Sequence, residues 1–362
     1  MIVGFGLAVA VGISVSGCAT TQTATPLSTT TSAAPTTTDP ATVGGSDVGP
    51  GPYRIEATVA VGENPHSVAI DPGTHSAYVA HYADSTDEQS VSVIDTRTQA
   101  VTARIPVGQV FPESPQAIAV DPLTHLVYLA CGNSAGNLLV ISPDSQSVTA
   151  TIDVGGDPSA VVVDPDRSTV YVANQFSRTV TAVDTVARAV VATIPVEGNP
   201  ISLAVDPTTH DLWVVSDSGV TVIDPATHAV SAKIGVDDDP HYIAIDPQER
   251  IAYVTHSGMG PVSLIDTVSR TRLDSISLGE RGSAYAIAVD PVEHTVYLTG
   301  LSFNTVTMIA ARTREVTAVR YSGITLSNEY GSNTRGATVD PATHHLYVTN
   351  SDAAQIEVIA PQ

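Results

Sequence analysis

A motif that occurs seven times constrains the fold of this chain more than any other feature. In each copy an Asp-Pro pair closes a short apolar run, and an aromatic residue stands seven positions after the Asp. Successive aspartates are 40 to 50 residues apart. The motif residues are Asp71, Asp121, Asp164, Asp206, Asp246, Asp290 and Asp340, with Tyr78, Tyr128, Tyr171, Trp213, Tyr253, Tyr297 and Tyr347. A period of this length predicts a repeat architecture in which each copy forms one structural unit.

Each copy contains four short runs rich in Val, Ile, Thr and Tyr, a composition typical of β-strands. In the third copy these runs are 159–164, 169–174, 179–184 and 189–196, separated by turn residues such as Asp, Pro and Asn. No segment has a sustained apolar period of 3.6, so helices should be nearly absent. The sequence therefore predicts an all-β fold: a seven-bladed β-propeller of four-stranded antiparallel blades.

The two ends of the repeat region predict how the ring closes. The last copy stops after its third run, 356–360, and lacks a fourth. The segment 56–62 (EATVAVG) matches the fourth strands at 102–108 and 149–155. We therefore expect an N-terminal strand at 54–62 to join the last blade, which removes the open sheet edges of an unclosed array.

The seven segments that begin at the motif aromatics carry a family resemblance. They read YVAH, YLAC, YVAN, WVVS, YVTH, YLTG and, at 347–350, the literal YVTN. Over 54–360 the chain resembles the YVTN-repeat (YncE-like) propellers. The resemblance implies the fold but no single function, because this group includes binding proteins, lactonases, lyases and cofactor-dependent oxidoreductases.

The first 53 residues predict an exported, anchored protein. Residues 2–16 form a 15-residue apolar run, shorter than the ~20 residues of a spanning helix, and VSGC at 15–18 resembles a bacterial lipobox. We interpret 1–17 as a lipoprotein signal peptide and Cys18 as the lipidated residue, although no Lys or Arg precedes it. An ordinary buried cysteine is the alternative. Residues 18–53 then form a Thr/Pro/Ala-rich disordered tether, and 54–362 the propeller.

Charge excludes one class of partner. The chain has 37 acidic and 15 basic residues, a net charge of −22 and a single lysine. Because phosphate binding needs clustered positive charge, we expect no nucleic acid partner. The expected location is the extracytoplasmic side of a cell membrane, with the lipid anchor as the membrane contact and a monomeric state.

The resemblance implies that ligands occupy the top face, where the strand 4–strand 1 linkers and the strand 2–strand 3 loops lie. Five residues before each Asp stand His66, Gln116, Ser159, Ile201, His241, Tyr285 and Arg335; ten residues after it stand His81, Cys131, Asn174, Ser216, His256, Gly300 and Asn350. A constant separation of 15 predicts that the two members of each pair face each other across the strands.

Histidine occupies both positions in blades one and five. The pairs His66–His81 and His241–His256 are candidate divalent metal ligands, and His241 or His256 is a candidate general base. Ordinary polar lining of a wet channel is the alternative. One ion for all four histidines is unlikely because blades one and five lie nearly across the ring, so the four would bracket a ligand. We expect His66 and His81 to contact that ligand, together with Gln116, Asn174, Tyr285, Arg335 and Asn350. Five other histidines (His75, His125, His210, His294 and His344) recur in the strand 1–strand 2 turn on the opposite face and are interpreted as turn residues.

Long insertions predict a rim on the top face. The strand 2–strand 3 loop 82–90 and the linkers 108–115 and 323–334 are longer than their counterparts and belong to blades seven, one and two. They bring Tyr82, Phe111 and Tyr330 to one side, and function is commonly carried on such loops.

Two functions follow as hypotheses. One is a ligand- or protein-binding or scaffold module, whose top face takes a small molecule, a glycan or a protein segment. The other is a lactonase- or lyase-type enzyme with a top-face His as general base. No cofactor is expected, although a divalent metal fits the second hypothesis. No complete set of nucleophile, base and orienting group emerges from the inner positions, which favours binding.

Overall fold

The computed structural model describes residues 53–81, 89–108, 115–257, 260–278, 284, 286–300, 305–320 and 336–361. These residues form seven separate four-stranded antiparallel sheets. Blade 1 contains β2 (Pro65–Asp71), β3 (Ser76–His81), β4 (Gln89–Asp95) and β5 (Ala100–Gly108); blade 2 contains β6 (Pro115–Val120), β7 (Val127–Gly132), β8 (Gly136–Ser142) and β9 (Ser147–Asp153); blade 3 contains β10 (Pro158–Asp164), β11 (Thr169–Asn174), β12 (Thr179–Asp184) and β13 (Ala189–Pro195).

The other four blades repeat this pattern. Blade 4 contains β14 (Pro200–Val205), β15 (Leu212–Ser216), β16 (Gly219–Asp224) and β17 (Ala229–Ile234); blade 5 contains β18 (Pro240–Asp246), β19 (Ile251–His256), β20 (Val262–Asp266) and β21 (Thr271–Ile276); blade 6 contains β22 (Ala286–Asp290), β23 (Thr295–Thr299), β24 (Thr305–Ala310) and β25 (Val316–Arg320); blade 7 contains β26 (Ala337–Asp340), β27 (His345–Asn350), β28 (Gln355–Pro361) and β1 (Tyr53–Ala60). One 3₁₀ turn at Pro165–Arg167 is the only helical element among the described residues.

The N-terminal strand closes the ring, as predicted. β1 pairs antiparallel with β28, from Tyr53 opposite Pro361 to Ala60 opposite Gln355. The first strands of neighbouring blades contact one another around the whole circle, including β26 of blade 7 with β2 of blade 1. Every blade therefore has a neighbouring blade on both sides. The predicted boundaries of the two closing strands, 54–62 and 356–360, differ from the observed ones by one or two residues.

The repeated Asp organises the bottom face, where the strand 1–strand 2 and strand 3–strand 4 turns lie. Asp71 Oδ1 accepts the backbone N–H of Gly73 at 2.9 Å, and its Oδ2 accepts the Thr74 hydroxyl. Four residues after each repeat Asp the backbone is left-handed, with φ between 51° and 64°. This residue is His in five blades, Ser168 in blade 3 and Arg250 in blade 5. The interpretation of the five histidines as turn residues is confirmed.

Four of these five histidines also join neighbouring blades, a contact that was not predicted from the sequence. The Nδ1 of the turn histidine in one blade lies 2.7–3.1 Å from the buried repeat carboxylate of the preceding blade; we call each such pair an interblade latch. The latches are His125–Asp71, His210–Asp164, His294–Asp246 and His344–Asp290. A single carboxylate thus caps its own turn and holds the next blade.

The hydrophobic core lies between blades rather than within one centre. Seven clusters fill the seven interfaces, and each contains the motif aromatic of one blade with apolar residues of the next. Tyr78 of blade 1, for example, packs with Ile118 and Leu129 of blade 2. All seven motif aromatics are at most 1% exposed. The aromatic residue seven positions after the Asp therefore packs between two adjacent blades and fixes their relative position.

In the described part of the chain, no helix has the length and apolar character needed to cross a membrane. The predicted signal peptide, Cys18 and the tether lie outside the described residues and stay predictions.

Candidate functional site

An axial channel runs through the centre of the ring. It encloses about 170 Å³ and is lined by two consecutive residues from every blade, which lie in the first strand or, for Gly336 of blade 7, directly before it. The lining residues carry small, aliphatic or hydroxyl-bearing side chains, without a charged group among them: Ser67, Val68, Ala117, Ile118, Ala160, Val161, Ser202, Leu203, Tyr242, Ile243, Ala286, Ile287, Gly336 and Ala337. Since a water molecule takes about 30 Å³ of liquid, the channel can hold a few waters or one slender group of a ligand.

In blades 1 to 5 the predicted facing of the inner pairs is wrong by one residue, because strand 1 bulges at its top end. His81 is opposite Pro65, and the ladder resumes with Ser67 opposite Ala80, so His66 is the extra residue of a β-bulge. In blade 5, His256 is opposite Pro240, and the ladder resumes at Ile243. Blades 2, 3 and 4 bulge at the equivalent place, after Pro115, Pro158 and Pro200. A bulge re-aims side chains without changing their spacing in sequence.

His81 holds the top of blade 1 together instead of pairing with His66. Its Nδ1 lies 3.2 Å from the carbonyl oxygen of Glu63, which can only accept, so Nδ1 carries the proton. Its Nε2 accepts from the Ser92 hydroxyl at 2.8 Å. Burial lowers the pKa of His81 to about 4. Both ring nitrogens are thus engaged, one with the linker that enters strand 1 and one with strand 3.

His256 has the same two contacts in blade 5, extended by a carboxylate. Its Nδ1 donates to the carbonyl oxygen of Asp238 at 2.9 Å, and its Nε2 lies 2.8 Å from the Ser263 hydroxyl. That hydroxyl is also 3.2 Å from Oδ2 of Asp237. Arg272 contacts Asp237 at 2.5 Å and holds the pKa of its carboxyl below the usual range. Ser263 and His256 are both buried.

The two bulge histidines sit at the top of the channel strands. His66 and His241 are 3% and 5% exposed. The His241 ring stacks on Tyr242, with 4.5 Å between the ring centroids, and Tyr242 lines the channel. Burial lowers the pKa of His241 to about 4. A histidine in this state is neutral at pH 7, and His66 and His241 each directly precede a residue of the channel wall, Ser67 and Tyr242.

The other described candidates occupy the position of His81 in their own blades. Asn174 donates to the Thr181 hydroxyl at 2.9 Å and accepts the N–H of Gly155. Asn350 donates to Glu357 at 2.8 Å and accepts the N–H of Ala353. Burial raises the pKa of Glu357. In every case the strand 2 end is tied to strand 3 and to a top-face loop.

Several predicted site residues lie outside the described part of the chain. They are Cys18, Tyr82, Phe111, Tyr285, Tyr330 and Arg335, together with the side chain of Gln116. Within the residues that the structure describes, no group of three or more His, Cys, Asp or Glu side chains is placed to hold a metal ion.

The top face carries an exposed aromatic residue that was not predicted from the sequence. Phe176, in the strand 2–strand 3 loop of blade 3, is 56% exposed. Near it in sequence, Arg178 Nε donates to Asn199 Oδ1 at 3.2 Å, and Asn199 Nδ2 donates to Asp217 at 2.8 Å. This chain ties the top-face loops of blades 3 and 4. Aromatic residues also occur in the corresponding loops of blades 1 and 6, at Tyr82 and Phe303, so the sequence alone does not single out Phe176.

Comparison with known proteins agrees with this architecture. The family model for YNCE-like beta-propellers matches residues 53–250. The seven-bladed beta-propeller protein Rv1057 of Mycobacterium tuberculosis (strain ATCC 25618 / H37Rv) is 30% identical over 135 residues, which are 35% of this chain and 31% of that protein. The match thus spans about a third of that relative.

Two solved structures share the fold at low sequence identity. Hydrazine synthase of Kuenenia stuttgartiensis superposes with a TM-score of 0.69 and 18% identity, covering 82% of this chain and 95% of the other. The Cps50 (Swd1) beta-propeller domain of Myceliophteria thermophila gives a TM-score of 0.70 and 11% identity, covering 86% of this chain and 100% of the other. At these identities the likeness concerns the fold alone.

Proposed function

The chain belongs to the family of YNCE-like β-propellers, and from this premise we propose that it is an extracytoplasmic, lipid-anchored binding module. Its ligand occupies the top face at the mouth of the axial channel. The observation that carries the proposal is the channel itself: seven strands converge on about 170 Å³ lined by uncharged groups. Such lining suits recognition by shape and hydrogen bonding better than proton transfer.

The state of the histidines supports binding over lactonase or lyase chemistry. A general base needs a free lone pair within reach of a substrate and a pKa near the working pH. Both ring nitrogens of His81 and His256 already have protein partners. The pKa of His241 is lowered to about 4 by burial. These imidazoles therefore support the scaffold of the site.

The side chains around the channel indicate the class of ligand. Ser67, Ser202 and Tyr242 supply hydroxyl groups among aliphatic neighbours, and Phe176 offers an exposed ring on the same face. Hydroxyls with an aromatic platform suit a neutral polar ligand, such as a glycan, a small uncharged molecule or an extended protein segment.

A thermal-shift screen tests the binding site. Purified protein is heated with a panel of mono- and oligosaccharides, lactones and short peptides, since a ligand that binds only the folded state raises the melting temperature. Hits are measured again with Tyr242→Phe and Phe176→Ala, and with Leu123→Ala, an exposed apolar residue of the bottom face, as control. We expect the first two variants to lower affinity and the control to leave it unchanged.

The enzyme hypothesis is tested on the same samples. Turnover of any lactone in the panel, or stoichiometric metal that is lost in His241→Ala and His256→Ala, would overturn the binding proposal in favour of catalysis.

The membrane anchor is tested separately. Wild-type protein should partition into the detergent phase, and Cys18→Ala should move to the aqueous phase. A Cys18→Ala protein that stays with the membrane would refute lipidation at this residue.

A further inference from the structure

The chain enters the propeller from the bottom face. β27 and β28 meet at the top face, where Asn350 is opposite Gln355. β28 then runs to the bottom face at Pro361, whose partner is Tyr53. β1 therefore starts at the bottom, where the Tyr53 hydroxyl lies 2.9 Å from that of Tyr297. Any segment that precedes residue 53 joins the domain on this face.

Exposed aliphatic side chains gather on the same face. Of nine large hydrophobic residues that are exposed among the described residues, four stand at the tips of bottom-face turns and are 54–81% exposed; these four, the tip residues, are Leu123, Val186, Val268 and Val292. Four more are near the bottom ends of the outer strands of blades 3 to 5: Val190, Val191, Val230 and Leu273. The ninth is Phe176 on the top face. Single exposed aliphatics are ordinary, but their concentration on one face is not.

The bottom turns carry exposed charges of both signs, among them Arg97, Asp144 and Glu293, which follows the tip residue Val292. The seven repeat aspartates are at most 2% exposed, so the bottom turns do not present them. Val186 is followed two residues later by the exposed Arg188. An aliphatic tip beside a guanidinium fits a bilayer interface, where the aliphatic group enters the acyl boundary and the cation remains among the head groups. On the top face Asp237, Asp238 and Asp239 are consecutive, and Asp237 is paired with Arg272.

We infer that the bottom face is the membrane-facing surface of the anchored protein, with the four tip residues in contact with the bilayer interface. The inference rests on the proposed lipid anchor, because a tether joined at Tyr53 brings this face, and not the top face, to the membrane first. The binding site at the channel mouth then points away from the membrane toward its ligand. The occupant of the bottom face is thus a lipid surface.

Single-cysteine reporters on opposite faces of one blade test this orientation. In the full chain Cys131 is buried and Cys18 is lipidated, so an introduced cysteine takes the label. Val186→Cys reports the bottom face and Phe176→Cys the top face of blade 3. The protein is labelled with an environment-sensitive fluorophore and reconstituted into phosphatidylcholine/phosphatidylglycerol vesicles with or without spin-labelled lipid. We expect at least twofold quenching at position 186 and none at position 176; equal quenching at both positions, or quenching at 176 alone, would overturn the inference.

A second arm separates this inference from the anchor. Both reporters are placed in Cys18→Ala protein carrying an N-terminal decahistidine tag and are bound to vesicles with nickel-chelating lipid. If wild-type protein proves not to be lipidated, the anchor proposal fails, while position 186 still tests the face. Replacing the other three tip residues (Leu123→Thr, Val268→Thr and Val292→Thr) should lower the quenching at 186 by at least half.

Self-association is the competing outcome. If the label at position 186 becomes shielded without vesicles as protein concentration rises, a second copy covers the bottom face and the inference is wrong. Sedimentation of the unlabelled full chain over the same concentrations checks that result.

Discussion

At the scale of the residue, His81 shows how a buried imidazole serves as a brace. It links the carbonyl of Glu63 to the hydroxyl of Ser92, and burial lowers its pKa to about 4. In the unfolded chain a histidine binds a proton below about pH 6.5. Between these two values the unfolded state holds one more proton, so the free energy of unfolding must fall as the pH is lowered from 6.5 to about 4.

We therefore predict that replacing His81 flattens the acid side of the stability curve. Each such histidine contributes a slope of about 1.4 kcal/mol per pH unit in this window. His81→Gln should lower stability at pH 7.5 and reduce this slope, as measured by urea unfolding at pH 4.5, 5.5, 6.5 and 7.5. Asn174→Ser, at the same position of blade 3, should lower stability equally at every pH. An unchanged slope in His81→Gln would contradict the assignment.

Cys131 gives a second prediction at this scale. It is fully buried, and burial raises the pKa of its thiol to about 12. Because the thiolate is the reactive form, native Cys18→Ala protein at pH 8 should not react with a disulfide reagent over an hour. The same protein in urea should release one equivalent of the coloured thiolate. Stoichiometric reaction of the native protein would show that blade 2 opens.

The top-face residues also show where reasoning from the sequence stopped. Repeat spacing predicted which side chains reach the top of each blade, and Asn174 and His256 are there. It did not predict their partners, because a bulge changes the register by one residue while the separation of 15 stays the same. The exposure of Phe176 was not predicted because it depends on the conformation of the assembled loop. Tyr82, Phe111 and Tyr330 lie outside the described residues, so the predicted rim stays a prediction.

At the scale of the element, the interblade latch couples one turn to the next sheet. His294 and its partner Asp246 are both buried, with 2.9 Å between Nδ1 and Oδ2. Removing one partner leaves a buried carboxylate with fewer hydrogen bonds, which costs about 1.5–3 kcal/mol. His75 has the same turn position and a φ of 54°. Its counterpart carboxylate, Asp340, has an Oδ2 without a hydrogen-bond partner among the described residues.

We predict that His294→Asn lowers the free energy of unfolding by about 2 kcal/mol, whereas His75→Asn changes it by less than about 0.5 kcal/mol. Asn tolerates the left-handed backbone at both sites, so the comparison isolates the latch. Chemical denaturation monitored by tryptophan fluorescence provides the measurement. Equal losses in the two variants would mean that the turn, and not the latch, supports the blade.

Most of the elements were predictable because each of them occurs seven times. The secondary structure of a single short apolar run such as 159–164 is ambiguous. The occurrence of such a run before the same Asp in seven copies removes this ambiguity. Latches were not predictable, since a contact between His125 and Asp71 joins different copies and depends on how the sheets pack. The repeats therefore allow the strands within a blade to be predicted, but not the contacts between blades.

At the scale of the whole molecule, ring closure by β1 predicts how the chain responds to truncation. A chain that begins at residue 63 lacks β1 and with it the buried Val59 and Val61, and it exposes the edge of β28. Its melting temperature should fall by about 10 °C or more relative to a chain that begins at residue 51. Melts by circular dichroism decide the matter, and a difference of one or two degrees would refute a stabilising closure.

The pairing of Tyr53–Ala60 with β28 also fixes the order in which this protein can be completed. The ribosome makes β1 before every other strand of the domain and β28 after all of them, so blade 7 cannot form until β28 has been made. A propeller closed in this way reaches its final form only after its last strand is available, and until then its first strand has no partner. A chain that crosses a membrane unfolded brings β1 and β28 to the same side before the two strands have to pair. The proposed export of this protein is thus compatible with the one pairing that its folding must leave until last.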